Sequence, residues 1–72
     1  MVNIKKLKGV MAGKECSVGL LAKRVGKSRS TIYRWFQNDG ENITIADADA
    51  ISKALNLTGQ EASIIFFNQY VA

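Results

Sequence analysis

The sequence predicts an all-α fold of five short helices built round a helix-turn-helix at about residues 17–38. Three observations carry that prediction. Apolar residues recur at spacings of three and four along most of the chain. Ser17, Ser28, Thr44 and Thr58, all good helix starters, stand at the head of four such runs. Gly26 falls between the second and third runs, where a sharp reversal needs a left-handed residue. The chain contains no proline.

The first helix is expected at about residues 3–14. Ile4, Leu7, Val10 and Met11 then face inward, Lys5, Lys6 and Lys8 lie outward as solvated charges, and Gly13 is near the end. The second starts at Ser17 and carries Leu21, Ala22 and Val25 on one stripe, which Val18 can join. Ala22 is small enough to let another helix cross closely. Leu20 sits about 100° round from Leu21 and should be partly exposed. The third starts at Ser28, with an inner face of Thr31, Ile32 and either Trp35 or Phe36. Its outer face is Arg29, Ser30, Tyr33, Arg34 and Asn38.

Residues 38–42 are turn chemistry, Asn-Asp-Gly-Glu-Asn. A capping box between Thr44 and Asp47 opens the fourth helix, with Ile45, Ala48, Ile51 and Leu55 expected inside. Thr58 and Glu61 repeat the signal for the fifth. There Ile64, Ile65, Phe66 and Phe67 run without a break, and four consecutive helical residues span about 300° of arc, so they cannot all enter one core. Part of that run is available to a second copy of the chain, unless residues 68–72 cover it.

Composition sets the class. Seventy-two residues, 47% of them hydrophobic, make one domain at 1–72 with a core that is sufficient but not large. That leaves no room for a separate effector-sensing module. Of ten Lys and Arg, nine lie in residues 1–38 against Glu15 alone, a net +8; residues 39–72 carry Lys53 against five acids, a net −4. Such asymmetry offers one basic face to a polyanion. With no His, one Cys, no phosphate-cradling glycine loop and no paired carboxylates, the parts for metal ligation, catalytic triads and nucleotide hydrolysis are missing. A non-enzyme without metal or cofactor is expected. Cys16 reads as a buried thiol suited to a reducing cytoplasm. No apolar run nears the roughly 18 residues of a membrane span, and no signal-peptide pattern opens the chain, so no membrane partner is expected.

A helix-turn-helix presents its second helix to the DNA major groove, and the outer face here is made of cations, hydroxyls, an amide and an aromatic ring. Arg29, Ser30 and Arg34 are therefore candidates for base edges; Lys27, Ser28, Tyr33 and Asn38 are candidates for phosphates. Trp35 and Phe36 read as core rather than contacts.

The pattern GxSxSTIxRW, present as Gly26, Ser28, Ser30, Thr31, Ile32, Arg34 and Trp35, resembles the helix-turn-helix domains of the lambda repressor and Cro-like family. The resemblance runs over about residues 4–67, and ISKALNLT at 51–58 is similar to the family's fourth helix and following turn. It implies a five-helix, lambda-repressor-like DNA-binding fold that takes double-stranded operator DNA, often as a homodimer. The departures matter too. Members of the family often carry a phosphate-contacting Gln at the position of Val18 and a polar or acidic residue at that of Leu20. Val18, Leu20, Arg29, Tyr33 and Arg34 together resemble an interface with an apolar centre and a charged rim. In its small size and apolar second helix the chain is similar to temperate-phage antirepressors, which dock on a lysogeny repressor and mask its DNA-binding surface. Two readings follow for a bacterial cytoplasm: an antirepressor that binds a repressor's DNA-binding domain, or a Cro-like repressor on its own operator. A repressor's DNA-binding face is basic, so apolar contact must dominate in the first reading unless Asp39, Glu41 or Asp47 turn toward it.

Overall fold

Four backbone N–H groups at the start of every helix lack intrahelical partners, and polar side chains answer that need at all five starts. The computed structural model describes residues 2–67, where every regular element is a helix: α1 (Ile4–Gly13), α2 (Val18–Val25), α3 (Arg29–Gln37), α4 (Ile45–Ala54) and α5 (Gly59–Phe66). Asn3 Oδ1 accepts from the Lys6 N–H at 3.0 Å, Ser17 Oγ from Leu20 at 3.1 Å and Ser28 Oγ from Thr31 at 3.2 Å. The expected boxes close reciprocally. Thr44 Oγ1 accepts from Asp47 N–H at 3.0 Å while Asp47 Oδ2 accepts from Thr44 N–H at 3.1 Å, and Thr58 and Glu61 do the same.

Gly26 ends α2 at φ 71°, and the next N–H, that of Lys27, turns back to donate to Ala22 O at 2.9 Å. That reversal sets α3 across α2. Each helix then contributes one side chain with no exposure: Leu7, Leu21, Ile32, Ile51 and Ile65. Ile4, Val10, Met11, Cys16, Ala22, Trp35, Ala48, Leu55 and Phe66 complete the same core. α2 packs on both α3 and α4, while α1 packs on α5. There the Asn3 N–H donates to Ile65 O at 2.7 Å.

Four side-chain expectations are refined or overturned, and a fifth, the partial exposure of Leu20, is met. Ile45 is 83% exposed rather than inside. Backward steps of three drift by about 60° each, so from Ile51 the pattern reaches Ala48 within the core arc and leaves Ile45 about 120° away, on the outer side of the first turn. Between the two aromatic candidates, Trp35 is buried and Phe36 half-buried. Lys8 is exposed but not merely solvated, because its ammonium lies 4.9 Å over the Phe36 ring. Leu20 is half-buried and packs against the core. In the apolar run of α5, Ile65 and Phe66 turn inward, Ile64 is half-buried and Phe67 is 47% exposed. The covering role considered for residues 68–72 lies outside the described residues.

The turn after α3 holds a contact with no local signature. Gly40 is buried at φ 76°, and a Cβ built on it would stand 2.5 Å from the Cβ of Val2. Only a residue without a side chain fits the turn against the chain entering α1.

Candidate nucleic-acid interface

Helical periodicity alone places the outer residues of α3 together, and the glycine turn adds the two residues before it. Lys27, Ser28, Arg29, Ser30, Tyr33, Arg34 and Asn38 are all exposed. Ile32 and Trp35 are buried on the opposite side and anchor the helix to the core. An exposed polar face on a helix fixed by its apolar face is the geometry a groove-entering helix needs.

The individual side chains are not equally free. Ser28 Oγ is engaged as the helix cap and lies 3.0 Å from Thr31 Oγ1. Lys27 Nζ is 3.7 Å from Asp47 Oδ1, so α4 holds a carboxylate beside the turn. Asp47 is thereby committed twice, to the Thr44 cap and to Lys27. Arg29 leans back rather than outward: a Cβ built on Gly19 would lie 2.9 Å from both its Nε and one terminal nitrogen. The guanidinium therefore rests on the first turn of α2.

Of the five residues expected at a protein interface, two share a groove. Val18 and Tyr33 line one open groove of about 670 Å³, shared with Met11, Cys16 and Phe36, with Lys8 at its edge. Tyr33 meets Phe36 edge to face, with ring centroids 6.5 Å apart. Leu20 does not line this groove, and neither do Arg29 and Arg34. The contribution of α1 was missed, since nothing in the spacing of Lys8 and Met11 links them to Val18 or Tyr33. Two other cations serve the scaffold: Arg24 donates to Ala54 O at 3.1 Å, and Lys14 donates to Leu55 O at 2.8 Å and Asn56 O at 3.2 Å.

Among the described residues no group of three or more His, Cys, Asp or Glu is placed to hold a metal ion, and no helix is long and apolar enough to cross a membrane. Two capped helices crossing at a left-handed glycine, the second with a polar and cationic outer face, define a helix-turn-helix protein. The profile of the helix-turn-helix family matches residues 15–61, more than half of the chain, from the residue before Cys16 into α5, and the chain belongs to that family. The family is one of DNA-binding regulatory domains, which supports the likeness to Cro and lambda repressor. Neither a curated protein nor a solved structure matched the chain.

Proposed function

We propose that residues 1–72 form one helix-turn-helix unit that regulates a phage lysis/lysogeny switch as an antirepressor, docking on the DNA-binding domain of a lysogeny repressor and masking its DNA surface. The observation that carries this reading is the open apolar groove beside α3, in which Val18 and Tyr33 face Met11, Cys16 and Phe36. An apolar side chain of a partner, seated there, meets apolar groups from α1, α2 and α3. Lys27, beside the turn, is also paired with a carboxylate of the protein itself, that of Asp47. The test is calorimetric titration of a lysogeny repressor's DNA-binding domain with wild type and Val18→Glu. Val18 is half-buried and is the first residue of α2, a position that tolerates an acid, so folding should persist while the groove receives a carboxylate that a docked partner must strip of water. Binding should weaken about tenfold or more. Equal affinity of the two folded proteins removes the groove as the interface.

A second reading is supported by the exposed polar face of α3 and by the family: direct binding of operator DNA in the Cro-like manner, as a homodimer on two half-sites. In this reading Arg29, Ser30 and Arg34 meet base edges, and Lys27, Ser28, Tyr33 and Asn38 lie nearer phosphates. Arg29→Ala should then relax sequence preference, while Lys27→Ala should weaken all duplexes alike and lower the salt dependence. Binding to every duplex that is unaffected by Arg29→Ala contradicts it.

A further inference from the structure

We infer that Gly19 is a positioning residue for Arg29: the side chain missing from the first turn of α2 makes the bed on which the Arg29 guanidinium lies, and so sets the direction in which that cation meets DNA. The inference rests on the DNA-contact reading of α3. It starts from one juxtaposition. Gly19 is the second residue of α2 and Arg29 the first of α3, brought together by the turn at Gly26. A Cβ on Gly19 would come within 2.9 Å of Nε, 2.9 Å of a terminal nitrogen and 3.1 Å of the central carbon of the guanidinium. The two nitrogens approach more closely than the carbon between them, so the fork turns its Nε edge toward α2. Its direction matters because a guanidinium reads a base or a phosphate through a rigid fork of donors and not as a simple point charge.

Gly19 has no left-handed backbone to explain it, and as the second residue of α2 it caps nothing. Space explains it. Any β-carbon must push Arg29 aside, and an exposed arginine at the free end of its side chain moves easily, so the substitution redirects the cation without disturbing the core. Charge is unchanged, which separates this role from simple electrostatic attraction.

The experiment is a double-mutant cycle of Gly19→Ala with Arg29→Ala, read as affinity for two probes. One is a duplex enriched from a randomised pool by the wild-type protein, and the other is a random-sequence duplex of the same length. Arg29→Ala should lower preference for the enriched duplex roughly 10- to 100-fold. Gly19→Ala should lower it about 10-fold, with melting temperature equal to wild type or higher and with unchanged binding of the random duplex. In the Arg29→Ala background the same change should do nothing. Arg29→Lys, which keeps the charge but loses the flat fork, should lose preference and also become indifferent to Gly19→Ala.

The inference is overturned if Gly19→Ala keeps wild-type preference, or if its effect persists in full without Arg29. It is also overturned if Gly19→Ala weakens both probes alike. If wild type shows no preference for any enriched duplex, the DNA-contact reading itself fails and the inference falls with it.

Discussion

α2 and α3 begin differently from α4 and α5. Ser17 and Ser28 cap the first pair with a hydroxyl alone, and neither helix has an acid in its first turn. Thr44 and Thr58 cap the second pair in reciprocal boxes, each with a carboxylate, Asp47 or Glu61, in the first turn. The hydroxyl alone satisfies one N–H of the first turn, whereas the box also satisfies the N–H of the cap residue and sets a carboxylate at the positive end of the helix, so the second pair has the stronger start. The first pair keeps its starts free of negative charge of their own, and the one capping carboxylate that reaches them is Asp47, 3.7 Å from Lys27 Nζ. The net +8 of residues 1–38 and −4 of residues 39–72 are in part a record of these cap choices.

If the two halves share one core, a cavity in either must destabilise both. Leu21→Ala, at a side chain with no exposure where α2 packs on α3 and α4, should cost about 2–5 kcal/mol and lower the melting temperature by about 10 °C or more in a single transition. Two separate transitions in a calorimetric scan would break the comparison by showing independent halves.

The turn joining them supplies the next test. Gly40→Ala forces a left-handed φ on a residue with a β-carbon and drives that carbon into Val2, and should cost about 1–3 kcal/mol in chemical denaturation. Val2→Gly in the same chain should recover part of the loss, because it removes the overlap and not the backbone strain. Full recovery would show that φ at this turn costs nothing.

The smallest effect concerns pH. The Thr58 N–H donated to Glu61 holds that carboxyl below its ordinary value of 4.5, with the Lys14 ammonium, 3.7 Å away, acting in the same direction and desolvation opposing both. A carboxyl whose pKa is lowered by folding adds stability above its unfolded value, and that stability is lost as pH falls from about 4.5 through the lower folded value. Glu61→Gln keeps a cap acceptor and loses the charge, so its melting temperature should fall less steeply than wild type below pH 4.5. Parallel acid limbs for the two proteins would remove Glu61 as a contributor.

What the sequence revealed and what it hid divide by range. The turn at Gly26, the caps at Ser17 and Ser28 and the boxes at Thr44 and Thr58 were legible because each device closes within three or four residues. The exposed face of α3 followed from the same periodicity. Ile45 misled because a spacing of three was extended one step past the arc it can cover. The seat of Val2 on Gly40 and the wall that α1 gives the groove depend on residues far apart in the chain, for which local pattern carries no signal. The lean of Arg29 onto Gly19 is of the same kind: both residues were in view, but their separate helices gave no reason to set one on the other.

The bond from Asn3 N–H to Ile65 O, with α1 packed on α5, has a bearing on synthesis. A chain leaving the ribosome exposes α1 first and α5 last, so the apolar side of the earliest helix waits, without its partner, for nearly all of this sequence to emerge. A bond between residues 3 and 65 is thus among the last to become available, and contacts of such separation slow folding. Folding of this unit is in effect deferred until its last helix is made, and during that interval Leu7 and Val10 are the nascent chain's hydrophobic liability.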